Sequence, residues 1–148
     1  MRFEATMLFF FLVYFSVLPQ GYTVGRLHDC DAEFVNSHWE FAYEGSLPFV
    51  CFHINNFPSV AIRSKEDGSL VAWEITYFIG AMGILYVRKS HRGQGIAKFV
   101  IYELAKKLAN DVFCWVHKSN KTSIELHLKS GFSFADSCTI KKIKRKKF

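Results

Sequence analysis

Apolar and polar residues recur along this chain with two periods, one helical and one extended. Ile96, Phe99, Val100, Leu104 and Leu108 mark one face of a helix, which predicts a helix from about Gly95 to Leu108. Lys121 to Lys129 predicts a second amphipathic helix, with Ile124 and Leu128 inward and Gly131 as its stop. Asp29 or Asp31 can cap a further helix through about Glu40, with Ala32, Val35 and Trp39 at helical spacing. Between these lie strands: Tyr22–Leu27, the hairpin Val60–Arg63 and Leu70–Ile75 turning at Asp67-Gly68, Met82–Val87, and Val112–Val116. Phe132–Ala135 and Thr139–Ile143 are expected to close as a final hairpin. Gly45 to Pro58 holds two prolines, a glycine and an Asn pair and is expected to be irregular. The order β-α-loop-β-β-β-α-β-α-β-β predicts a mixed α/β (α+β) sandwich.

The length of 148 residues implies one domain that buries roughly two-thirds of its unfolded surface, with no need of a disulfide or metal staple. Half of the residues are hydrophobic and 17% are aromatic, which excludes a disordered polymer. The net charge of +6 comes from the end of the chain, where Lys141, Lys142, Lys144, Arg145, Lys146 and Lys147 form a basic tail over residues 141–148. The body is neutral, so no nucleic-acid partner is expected. The tail reads as a solvated end, with an import signal or an anionic membrane surface as alternatives. Cys30, Cys51, Cys114 and Cys138 form no CxxC pair and no zinc spacing, so they are expected to be buried reduced thiols with no metal.

Met7 to Leu18 is a nearly unbroken apolar run, too short to span a bilayer. Residues 1–18 read as a signal-like segment or as the remnant of a missing half-domain, with a buried strand or helix at the edge of the fold as the plain alternative. Residues 19–140 read as the main domain. Asn120-Lys121-Thr122 is a glycosylation sequon.

One segment carries chemistry. Ile84-Leu85-Tyr86-Val87 runs as a strand into the basic loop Arg88-Lys89-Ser90-His91, and then Arg92-Gly93-Gln94-Gly95-Ile96-Ala97 opens a helix. Two glycines and a small alanine let a ligand approach the backbone, and free amides at the helix start favour a pyrophosphate. The spacing fits neither a dinucleotide fingerprint nor a P-loop.

Here the sequence resembles the GNAT superfamily of acyl-CoA-dependent N-acyltransferases, whose R-x-x-G-x-A signature is met by Arg92, Gly95 and Ala97. Ser119-Asn120, Leu126 and Lys129-Ser130-Gly131-Phe132 resemble that superfamily's second segment. Leu18–Tyr22, Val35–Trp39, Phe57–Ala61 and Asp67-Gly68 with Ala72–Glu74 further resemble the C-terminal half of the glycine N-acyltransferase-like family. The resemblance implies a mixed central sheet flanked by helices, with acyl-CoA or acetyl-CoA as co-substrate rather than a covalently bound cofactor. It implies that Leu85, Tyr86 and Val87 pair with the pantetheine arm, that the amides of Arg92, Gly93, Gln94, Gly95, Ile96 and Ala97 hold the pyrophosphate, and that Asn120 bonds the coenzyme arm. A strand amide near Val87 would stabilise the oxyanion.

The pattern also departs from the family. The glutamate proposed as base in mammalian members falls at Ala81, and the tyrosine that protonates the leaving thiolate falls at His127. An imidazole can donate a proton, so His127 is the candidate acid, with a solvent-facing helix residue as its alternative. Glu74 and His91 are the candidate replacement bases, the alternatives being a solvated strand residue and a plain loop residue. The leading expectation is acyl transfer to the amino group of glycine or a related amino acid. The alternatives are acetylation of a protein or polyamine amine, and an acyl-CoA-binding protein without turnover. Mitochondrial placement follows from the resemblance, with the cytoplasm as the alternative.

Overall fold

In a computed structural model, the structure describes the backbone of residues 5–10 and the whole of residues 15–108 and 112–135. Seven strands form one sheet: β1 (Ala5–Phe10), β2 (Tyr22–Gly25), β3 (Ser59–Ser64), β4 (Leu70–Thr76), β5 (Ala81–Val87), β6 (Phe113–His117) and β7 (Phe132–Phe134). Four helices pack on it: α1 (Ala32–Ser37), α2 (Leu47–Asn56), α3 (Ile96–Lys107) and α4 (Lys121–Lys129). The sheet order is β2-β3-β4-β5-β6-β1-β7, antiparallel except for β5 against β6.

The apolar periods explain the two layers. On one face, Ile96, Phe99, Val100, Ile101 and Leu104 of α3 cover Val60, Ile62, Ala72, Met82 and Cys114. On the other, Ala32 and Val35 of α1 and Val50 and Ile54 of α2 cover Ala61, Trp73 and Ile75. β4 lies between both layers, so every one of its residues is buried.

Several expectations change. Gly45–Pro58 is not irregular throughout, because α2 occupies Leu47–Asn56. Pro48 sits in the first turn, where a missing N–H is harmless, and Pro58 lies beyond the end. The first helix ends at Ser37 rather than Glu40, since Ser37 Oγ and His38 Nδ1 both take the carbonyl of Phe34 at 2.8 Å. The strand expected at Val112–Val116 runs Phe113–His117. Ala5–Phe10 is a strand of the same sheet, so the sheet draws on both sides of the boundary expected at residue 18. It pairs antiparallel with β6 from Ala5↔His117 to Phe9↔Phe113 and with β7 from Leu8↔Phe134 to Phe10↔Phe132. Cys30 is exposed and Cys51 half-buried, so burial holds for Cys114 alone among the described cysteines. Thr139–Ile143, Cys138 and the basic tail lie outside the described residues. Among the described residues no helix is long and apolar enough to cross a membrane.

Candidate functional site

The site is built where β5 parts from β6. The two strands pair only at Ala81↔Phe113 and Met82↔Cys114. Among the described residues, no strand pairs with the β6-facing edge of β5 from Gly83 to Val87. On the other edge Arg88 N–H donates to Val71 O at 2.9 Å, across to β4. Strand alternation therefore turns the N–H of Val87 toward the open edge. Its carbonyl turns the same way and accepts Arg92 Nε at 2.9 Å.

A bulge shapes this edge. The β4–β5 register shifts between Trp73↔Tyr86 and Ile75↔Gly83. Ile84 absorbs the extra residue with φ at 53°, a left-handed conformation that is an outlier for a β-branched side chain. Such strain costs about 1–3 kcal/mol and is held only by firm surroundings. Those surroundings are a ring of aromatics: Tyr86 stacks on Trp73 at 4.9 Å, and His38 lies 5.0 Å from Tyr86. Gly83 lets Tyr77 lie directly over the strand, since a Cβ there would fall inside the Tyr77 ring.

At the end of β5, Lys89–His91 forms a short 3-10 turn, and Gly93 and Gly95 both take left-handed φ, 77° and 80°. Gly95 is the N-cap residue of α3, and no side chain caps that helix. A Cβ at Gly93 or Gly95 would meet no atom within 4 Å. Glycine here serves the backbone angle and leaves the amides approachable, which suits an anion at the positive end of a twelve-residue helix.

The expected site residues fall into three groups. Leu85, Tyr86, Val87, Arg92, Gly93, Gln94, Gly95 and Ala97 lie along the open edge and the glycine turn. Ile96 belongs to the turn by its backbone, while its side chain is buried in the core. Asn120 caps α4, its Oδ1 accepting from Ser123 N–H at 3.0 Å, which leaves its amide NH2 group and the second lone pair of Oδ1 for a ligand.

The three candidate proton carriers are arranged differently from expectation. Glu74 is not solvated: it is 1% exposed, on the α3 side of the sheet, with no partner for either carboxyl oxygen. Burial pushes its carboxyl well above the usual carboxylate range, which favours the protonated form. Burial, with Glu74 nearby, likewise raises the Tyr77 phenol and the Cys114 thiol. His127 does not face solvent either. It is 3% exposed, edge-on to Phe132, and donates from Nδ1 to Ser123 O at 2.7 Å. Burial lowers its pKa against the opposing effect of that bond, so the ring is neutral with an unpartnered lone pair at Nε2. His91 lies 2.8 Å from Tyr22 Oη, and the same phenol donates to Gln94 Oε1 at 3.2 Å. Ala81 is fully buried at the start of β5. No local pattern of residues marks the Tyr22 contacts or the Trp73–Tyr86 stack. Among the described residues no group of three His, Cys, Asp or Glu is placed to hold a metal.

Residues 59–140 match the family model described as FR47-like protein. No curated protein matches the sequence. A solved Drosophila protein is 22% identical with a TM-score of 0.81, over 90% of this chain and 48% of that one. A GCN5-related N-acetyltransferase from Sphaerobacter thermophilus is 17% identical with a TM-score of 0.70, over 90% of this chain and 49% of that one. A ribosomal-protein-alanine N-acetyltransferase from Brucella melitensis is 20% identical with a TM-score of 0.61, over 82% of this chain and 99% of that one. The chain spans about half the length of the first two. These likenesses establish the expected superfamily fold, whereas the narrower glycine N-acyltransferase-like placement finds no support in them. With more than half of its length matched, the chain belongs to the FR47-like family and carries the fold of the GCN5-related N-acetyltransferases.

Proposed function

We propose that the protein binds an acyl-CoA along the open edge of β5 and transfers the acyl group to the amine of glycine or another small amine. The observation that carries this reading is the unpaired edge of Gly83–Val87 leading directly into an uncapped glycine turn. An extended amide-bearing arm can add to such an edge as a strand would, and a diphosphate can then seat on the amides from Gly93 to Ala97. The amine nitrogen attacks the thioester carbonyl, and the Val87 N–H stabilises the oxyanion. Collapse of that intermediate breaks the carbon–sulfur bond and releases the coenzyme as thiolate. An amine with a pKa of roughly 8 must lose a proton, directly or through water. Glu74 and His91 are the candidates for taking that proton, and His127 falls where the resemblance puts the group that serves the leaving thiolate. The thiolate, whose conjugate acid has a pKa of roughly 8.5, needs little help to leave.

A second reading rests on Glu74 and Ala81: with one carboxyl buried away from solvent and the other absent, the chain binds acyl-CoA without turnover. Calorimetry with acetyl-CoA and benzoyl-CoA, beside a thiol-release assay with glycine, glutamine, lysine and spermine, separates the two. Binding with release of thiol supports transfer. Binding without release from any pair supports the second reading, and no binding overturns both.

A further inference from the structure

We infer that Tyr22, on edge strand β2, is a positioning residue that holds the glycine turn in shape for the diphosphate of the coenzyme, which rests on the acyl-CoA reading above. The argument begins with what does not hold the turn. A Cβ at Gly93 or Gly95 would meet open space, so no side-chain packing holds this part of the turn, and the bond from Phe99 N–H to Gly95 O at 3.2 Å anchors only its helical end. Gln94, between them, is exposed. Fixing a residue's backbone costs about 1–2 kcal/mol, so a turn of this composition needs tethers if its amides are to converge on an anion.

One tether is Arg92 on the Val87 carbonyl. The other is Tyr22, whose oxygen reaches two residues of the same loop. It donates to Gln94 Oε1 at 3.2 Å and lies 2.8 Å from His91 Nδ1. One phenol proton serves one partner, so His91 donates to Tyr22 through Nδ1. A single oxygen thereby joins the positions on either side of Arg92-Gly93. The Tyr22 ring also stands edge-on to the imidazole, with centroids 5.6 Å apart. Tyr22 is itself anchored. It pairs with Ser64 in the β2–β3 ladder, and Lys65 N–H donates to Gly21 O at 2.9 Å beside it.

Tyr22→Phe keeps the ring and removes only the oxygen. The expected result is a 5- to 10-fold weaker affinity for ADP, which carries the diphosphate, by calorimetry. The KM for acyl-CoA should rise by the same factor, with kcat, the KM for the amine and pantetheine binding unchanged. That fold-change is about what one hydrogen-bonded junction contributes. Gln94→Ala should weaken ADP binding similarly, and adding Tyr22→Phe to a His91→Ala, Gln94→Ala background should add little. Unchanged ADP affinity in Tyr22→Phe, or a fall in kcat with affinity intact, overturns the inference. Failure of the unsubstituted protein to bind any coenzyme A compound overturns the acyl-CoA reading itself.

Discussion

Glu74 offers the most exacting test of how this core is built. It sits mid-strand on β4, 1% exposed, with neither carboxyl oxygen partnered. An unsatisfied buried polar group costs about 1–3 kcal/mol, so Glu74→Met, similar in length and apolar, should stabilise the fold by about that amount. At about 2–4 °C per kcal/mol for a chain of this size, the melting temperature should rise by about 3–10 °C. The pH dependence is sharper. Because burial raises the folded pKa above the ordinary 4.5, the folded state binds this proton more tightly than the unfolded state. The contribution is complete below the unfolded value and is lost as pH rises toward the folded one, at up to about 1.36 kcal/mol per pH unit. The shift at His127 runs the opposite way but is common to both proteins, so it cancels in the difference. Urea unfolding at pH 5, 6, 7 and 8 should therefore show the advantage of Glu74→Met over the unsubstituted protein widening with pH. A constant gap would mean that the carboxyl ionises as readily folded as unfolded, and the reading of a dry, proton-holding site would be wrong. Thiol release by the same variant tests a separate point, since a catalytic base cannot be replaced by a thioether without loss of turnover.

Two glycines give further expectations. Gly95→Ala imposes a left-handed φ on alanine at about 1–2 kcal/mol without a clash, so the melting temperature should fall by about 3–6 °C. Coenzyme affinity should fall at least 10-fold by calorimetry, and intact affinity would move the diphosphate elsewhere. Gly83→Ala drives a methyl into the Tyr77 ring and should cost about 1–3 kcal/mol in urea unfolding. Adding Tyr77→Ala should then cost less than it does alone, a coupling of at least about 0.5 kcal/mol, and strict additivity would mean the ring moves aside freely.

The long, strongly periodic elements were legible. The α3 stripe, the α4 span and the Asp67-Gly68 hairpin follow from spacing and turn chemistry, and all stand where expected. α2 was hidden because its prolines and asparagines read as loop, although Val50 and Ile54 stand at helical spacing and supply its buried face. Glu74 was misread for a different reason. Alternation against Trp73 and Ile75 sends it to the opposite face of β4, and a strand is solvated there only if no helix covers it. α3 does. The glycine turn was readable from two residues and a helix start, whereas the bulge at Ile84 leaves no mark in Gly83-Ile84-Leu85-Tyr86-Val87. Tyr22 and His91 are 69 positions apart, and no local pattern announces such a meeting.

The placement of β1 sets the order of chain assembly against the order of synthesis. Translation delivers Ala5–Phe10 more than a hundred residues before Phe113–His117 and Phe132–Phe134, the two neighbours it pairs with. Until then an apolar segment waits with both rows of peptide groups unmated, a template for self-association. Insertion at such sequence distance is also intrinsically slow. Yield in a cell should accordingly depend on how well nascent strands are shielded as much as on the stability of the finished sheet.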